Sequence, residues 1–133
     1  MLTCFEDLLN AADNQAEPQR LLFVFVSAAL PESATDAQMQ RHQQREGGTL
    51  SAVLCVDKLP SEVPSFNALL SESRKTGIDW DLVFVAAMDG RAGVVPSSDE
   101  AAQPLRLMVN AVNDGQISRF AAFDANGETV QFY

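Results

Sequence analysis

Three short, continuous apolar runs constrain the fold of this 133-residue chain more than any other feature. They extend from Leu21 to Val26, from Leu50 to Val56, and from Trp80 or Asp81 to Met88. Runs of this length are too short for good helices and suit strands. Because polar residues do not alternate with the apolar ones, the runs indicate strands covered on both faces, which is typical of parallel sheets.

Helices with N-terminal capping signals are predicted before, between and after these strands. The predicted caps are Thr3, Thr35, Ser61 or Ser65, and Ser97. The helix that Thr35 opens, through about Arg45, is unusual because it has no apolar stripe, so it is solvent-facing, a mobile flap or a partner surface. Pro104 lies seven residues past Ser97. The last helix therefore either kinks at Pro104 or begins near Gln103.

The end of the chain carries a strong hairpin signal. Asn126-Gly127 favours a two-residue type I′ turn, because both central residues of that turn need a positive φ. Such a turn places Phe123 opposite Val130. The edge formed by Thr129 to Tyr133 is then available to pair with a second copy of the chain.

The predicted order of elements is α-β-α-β-α-β-α-β-β, within one domain over residues 1–133. A chain of this length is long enough to bury a sizeable core. Strands that alternate with helices predict parallel pairing through right-handed crossovers. We expect an α/β fold, namely an αβα sandwich with a mostly parallel sheet and a C-terminal antiparallel hairpin strand at the edge.

The chain is acidic, with 18 Asp and Glu against 9 Lys and Arg and a net charge of −9. This balance argues against nucleic acid and anionic membrane surfaces as partners, since both are bound through clustered Lys and Arg. No stretch approaches the roughly 20 apolar residues that span a bilayer. The first residues do not resemble a signal peptide, so we expect a cytoplasmic protein.

The cysteines and the single histidine give no catalytic or metal-binding motif. Cys4, Cys55 and His42 cannot build a zinc site unaided, and neither a metal nor another cofactor is predicted. No pairing of His42 with a nucleophile indicates a triad. Cys55, inside an apolar run, is expected to be buried and inert, whereas Cys4, near a helix start, is the better thiolate candidate.

Ligands of open α/β sheets gather at the carboxyl ends of the strands. We expect that end to hold Ser27 and Asp124 and the candidate ligand residues Asp57, Lys58, Asp89, Gly90, Arg91, Gly93, Ser97 and Ser98. Glycines for close backbone approach, an arginine and free helix-start amides suit an anion. The DGRAG segment matches neither common phosphate-binding glycine pattern, so an ordinary βα loop remains the alternative.

Three segments of the chain carry a resemblance: PQRLLFVFV at 18–26, CVDK at 55–58, and SRKTGIDWDLVFVAAMDGRAGVVPSS at 73–98. Together they resemble a family of short proteobacterial proteins, many of which are labelled "ribonucleotide reductase subunit alpha". A reductase catalytic subunit needs a much longer chain and paired redox cysteines, which this chain lacks, so the label does not fit. The resemblance implies a bacterial origin and carries over no functional residues.

Two functions are compatible with the sequence. The first is a small binding or regulatory module without catalytic activity, acting through an unknown protein partner or by self-association. The second is a small enzyme or sensor for an anionic metabolite, in which Asp57, Lys58, Asp89 and Arg91 line a pocket. Convergence of these side chains in a cleft would favour the second function, and a splayed arrangement would favour the first.

Overall fold

The computed structural model describes residues 4–27 and 50–130. The predicted polar helix from Thr35 to Arg45, with His42, lies outside the described residues. The described helices are α1 (Phe5–Asp13), α2 (Phe66–Arg74) and α3 (Ser98–Asn113), with a short 3-10 helix at Pro60–Glu62. The strands are β1 (Gln19–Ser27), β2 (Ser51–Lys58), β3 (Leu82–Asp89) and β4 (Ala121–Asp124).

The four strands form one sheet in the order β2-β1-β3-β4, and every neighbouring pair is antiparallel. The expectation of a mostly parallel sheet is therefore wrong. β1 lies between β2 and β3 and runs opposite to both, so β2 and β3 run in the same direction without being neighbours. The alternation of helices and strands could not show that β1 lies between the two strands that α2 connects.

Helices cover both faces of the sheet, which explains why β1 is apolar at consecutive positions. On one face, Phe5 of α1 packs against Phe66 of α2 and Phe123 of β4, with ring centroids 5.2 and 5.3 Å apart. On the other face, Met108 and Val112 of α3 belong to a separate buried cluster with Leu22, Val24 and Val26 of β1. Continuous apolarity therefore reports coverage of both faces, and it does not report strand direction.

The helix starts mostly follow the predicted caps. The Ser65 hydroxyl accepts a hydrogen bond from the Ala68 amide, and Ser97 and Glu100 form the predicted capping box. α3 begins at Ser98 and continues through Pro104, so the alternative start near Gln103 is wrong. Cys4 is the N-cap residue of α1, and its side chain makes no capping bond. The predicted cap Thr3 lies outside the described residues.

The C-terminal turn differs from the predicted type I′ turn. The Gly127 amide donates to the Asp124 carbonyl at 3.0 Å, and the Asp124 amide donates to the Glu128 carbonyl at 3.0 Å. Gly127 has a φ of 79°, whereas Asn126 has a negative φ. The loop therefore has three residues and ends in a glycine bulge. The Asp124 carboxylate stabilises it by accepting from the Asn126 and Glu128 amides, at 2.8 and 3.1 Å.

The longer turn shifts the register of the hairpin by one residue. Phe123 pairs with Thr129 instead of Val130. The chain start occupies part of the hairpin's outer edge, because Cys4 forms an antiparallel bridge with Glu128. A second copy could pair at that position only by displacing Cys4.

Candidate functional site

The carboxyl ends of β2 and β3 lie beside the amino end of β1, at the end of the sheet that we call the rim. The predicted ligand residues at or next to the rim are Asp57, Lys58, Asp89, Gly90, Arg91, Gly93, Ser97 and Ser98. Ser27 and Asp124 do not belong to it. Ser27 pairs with Ser51, and Asp124 pairs with Leu82, at the opposite end of the sheet.

Asp57 and Lys58 are consecutive in β2, and their side chains contact helices on opposite faces of the sheet. The Ser98 hydroxyl of α3 donates to Asp57 Oδ2 at 2.8 Å. Lys58 Nζ lies 2.8 Å from Glu72 Oε1 of α2. The alternation of side chains along a strand thus separates the carboxylate and the ammonium that the sequence placed together.

Arg20 is the principal rim residue that the sequence did not indicate. Its Nη1 lies 2.6 Å from Asp57 Oδ2, and its Nε donates to the Pro96 carbonyl at 2.6 Å. The side chains of Arg20 and Asp57 are only 12% and 18% exposed. Arg20 and Ser98 both contact Asp57, so the Asp57 carboxylate lies beside the first turn of α3. The sequence predicted that an external anion would bind at this place. Only the antiparallel direction of β1 brings Arg20 to this end of the sheet.

Asp89 has an internal partner as well. Gln19, the residue before Arg20 in β1, donates from Nε2 to Asp89 Oδ1 at 2.6 Å and to the Glu17 carbonyl at 3.0 Å. Gln19 is 5% exposed, so Asp89 satisfies a buried amide that would otherwise lack this acceptor. The carboxylate therefore has a structural role at the rim.

The loop after β3 forms a tight hairpin turn from Arg91 to Val94. Their backbone groups exchange hydrogen bonds of 3.0 and 2.9 Å, and the two central residues, Ala92 and Gly93, have φ values of 52° and 79°. These are features of a type I′ turn. The Gly93 amide donates to Glu17 Oε2 at 2.8 Å. A carboxylate of the chain itself therefore accepts from Gly93, which the sequence predicted to contact a bound anion.

Most of the described polar groups at the rim are therefore engaged with other groups of the chain and not available to a ligand. Among residues 4–27 and 50–130, no group of three or more His, Cys, Asp or Glu side chains is placed to hold a metal ion. Over the same ranges every buried side-chain nitrogen and oxygen has a hydrogen-bond partner. Arg91 is exposed at the turn, and its side chain has no hydrogen bond or ion pair with a described residue.

The two cysteines also differ from expectation. Cys55 is exposed, because β2 is the outer strand of the sheet, so the prediction of a buried position is wrong. Cys4 is partly exposed. A cavity of about 230 Å³ lies between β2 and α2, beside Cys55 and Lys58.

A larger groove, which sequence reasoning missed, lies between the second half of α3 and the loop that precedes β4. Its volume is about 910 Å³. The residues that line this α3 groove are Leu107, Ala111, Gly115, Gln116, Ile117, Ser118, Arg119, Phe120 and Val130. Leu107 is 59% exposed, so this wall of the groove presents an apolar side chain to solvent.

No described helix has the length and apolarity needed to cross a membrane. Comparisons of the chain with protein-family models, curated proteins and solved structures found no match.

Proposed function

We propose that this chain is a small cytoplasmic binding or regulatory module without catalytic activity, which acts through a protein partner or by self-association. The observation that carries the proposal is the splayed arrangement at the rim. Asp57 and Lys58 contact opposite helices, and each is paired with another side chain of the same chain. A pocket for a small anion needs cationic side chains and hydrogen-bond donors that converge, and at the rim Lys58 points away from Asp57 and its partners Arg20 and Ser98.

The arrangement of donors at the rim supports the same conclusion. The start of α3 lies beside the Asp57 carboxylate, and the amide of Gly93 donates to Glu17. An incoming anion would have to compete with these internal carboxylates and would meet their repulsion. The groove of about 910 Å³ beside α3 is instead partly apolar, which suits contact with another protein.

A thermal-shift comparison tests the proposal against the anion-handling alternative. Wild type, Arg91→Ala and the control Arg106→Ala are screened with phosphate, sulfate, nucleotides and acidic metabolites. Both arginines are exposed, but only Arg91 lies in the rim loop. A ligand at 100 times its dissociation constant adds about 2.7 kcal/mol, which raises the melting temperature of a domain of this size by roughly 5–10 °C.

We expect no such shift with any of these compounds. A shift that Arg91→Ala removes and Arg106→Ala retains would contradict the proposal and support a metabolite site at the rim. Light scattering from low to high micromolar concentration then separates the two modes of action, because self-association raises the apparent mass and a module for a different partner remains monomeric.

A further inference from the structure

The α3 groove differs in charge from the chain as a whole. The chain has 18 acidic and 9 basic residues, whereas the lining residues that fall within 4–27 and 50–130 include one cation, Arg119, and no acidic residue. The remainder of the lining combines apolar side chains with small polar ones. An apolar surface with a single cation in an acidic protein is complementary to a segment that carries apolar side chains and a carboxylate.

Leu107 forms one wall of the groove and takes no part in the core. The buried residues of α3 are Ala101, Met108 and Val112, which face the sheet. Leu107 is 59% exposed, and Ala111, one helical turn later, lines the groove beside it. The Leu107 side chain is therefore available for contact with another molecule.

Phe120 and Arg119 form the facing wall. The Phe120 ring makes an edge contact with Phe84 of β3, with centroids 6.5 Å apart, which fixes the ring to the sheet. The Arg119 guanidinium carbon lies 5.9 Å from the centroid of the same ring. A guanidinium held over a ring face keeps N–H groups available for a carboxylate. The Arg119 side chain has no hydrogen bond or ion pair with the described residues.

We propose that the α3 groove binds an acidic amphipathic peptide segment of a partner protein. This inference rests on the proposed binding function and assigns its surface and the chemistry of its partner. Apolar side chains of the segment contact Leu107, Ile117 and Phe120, and its Asp or Glu pairs with Arg119. Small-molecule sites bury most of their ligand, whereas a groove whose wall includes a largely exposed leucine suits a peptide laid along the surface.

A selection from a library of short random peptides displayed on phage, against the whole chain, tests the inference. Enriched peptides are synthesised with a fluorophore, and their dissociation constants are measured by anisotropy. The groove variants are Leu107→Ser and Arg119→Gln. The matched controls are Val94→Ser and Arg106→Gln, which change an exposed valine and an exposed arginine outside the groove.

We expect the enriched peptides to share apolar residues and at least one Asp or Glu. Arg119→Gln should weaken binding about tenfold, since a hydrogen bond to a charged group is at stake. Leu107→Ser should weaken it about fivefold through lost apolar contact. The two controls should bind as wild type does, and all four variants should keep the wild-type melting temperature because the changed side chains are exposed.

Several results would overturn the inference. They are a library that yields no binder, a basic consensus, and affinities that the two groove variants leave unchanged. If peptides bind but both groove variants behave as wild type, the groove assignment fails while the proposed binding function stands. If no peptide is enriched but a medium-chain fatty acid raises the melting temperature of the wild type and not of Arg119→Gln, the ligand of the groove is a small amphiphile and not a peptide. The proposed function itself fails separately, through a metabolite shift that Arg91→Ala removes.

Discussion

Arg20 and Asp57 form an ion pair between β1 and β2, with Nη1 and Oδ2 2.6 Å apart. Both side chains are mostly buried, and the Ser98 hydroxyl donates to the same carboxylate oxygen. The pair therefore joins both strands to the start of α3. It also explains why residues that resemble an anion site in the sequence are engaged with one another in the fold.

Replacement of Arg20 by methionine should lower the free energy of unfolding by about 2–3 kcal/mol, because it leaves Asp57 largely buried with only a hydroxyl partner. The measurement is urea denaturation followed by circular dichroism. Arg74→Met is the matched control, since Arg74 is exposed and its loss should cost less than about 0.5 kcal/mol.

The double variant Arg20→Met/Asp57→Asn separates the ion pair from the packing of the arginine stem. We expect it to be more stable than the sum of the two single variants implies, by about 1–2 kcal/mol of coupling. Additive single effects would mean that the ion pair contributes nothing to stability.

Gly90 has a steric role that its neighbour Gly93 does not share. A Cβ at Gly90 would overlap the Val94 carbonyl oxygen and lie 2.9 Å from both the carbonyl oxygen and the Cγ of Pro18. Gly90→Ala should therefore cost about 2–3 kcal/mol through overpacking against backbone. Gly93 has open space around it and a φ of 79°, so Gly93→Ala should cost only about 1 kcal/mol. Thermal and urea unfolding of the two variants measure these losses of stability. A larger loss for Gly93→Ala than for Gly90→Ala would contradict the close approach of Pro18 to Gly90.

Ser73, in α2, and Trp80, just before β3, form a buried polar contact. Trp80 Nε1 donates to Ser73 Oγ at 2.8 Å, and the hydroxyl donates to the Leu70 carbonyl at 2.8 Å. Ser73→Ala should lower the free energy of unfolding by about 1–3 kcal/mol, because it leaves the indole N–H buried without its acceptor. Trp80 is the only tryptophan of the chain, so its fluorescence reports both the environment of the ring and unfolding.

The double variant Ser73→Ala/Trp80→Phe removes donor and acceptor together. Measured by circular dichroism, its loss of stability relative to Trp80→Phe should be smaller than the loss that Ser73→Ala causes in wild type. Equal losses would show that the hydroxyl acts only through its bond to Leu70.

The strands could be predicted from the sequence because their signal is local. β1 and β3 lie within two residues of the apolar runs that predicted them. The pairing could not be predicted, since the position of β1 between β2 and β3 depends on contacts between segments far apart in the chain. The hairpin turn was predicted at the right place with the wrong length, because the carboxylate of Asp124 favours a three-residue turn that the Asn126-Gly127 pair alone does not indicate.

The same distinction applies to the candidate sites. The residues at the carboxyl ends of β2 and β3 could be placed together at the rim because those two strands run in the same direction. Arg20 was missed because its place at the rim requires the direction of β1. The α3 groove was missed because its second wall, Ser118 to Phe120 in the loop before β4, meets α3 only in the packed chain.

Cys55 should be the more reactive of the two thiols. It is exposed on the outer strand β2, whereas Cys4 is only partly exposed and its backbone is bridged to Glu128. Under native conditions a thiol reagent such as Ellman's reagent should modify Cys55 first, because the reagent reaches an exposed sulfur atom more easily than a partly covered one. Cys55→Ser should abolish the fast phase, and Cys4→Ser should retain it. A cysteine buried in a strand core would react only on unfolding. If Cys55 reacted only in a slow phase, which the Cys55→Ser variant would lack, its exposed position would be contradicted.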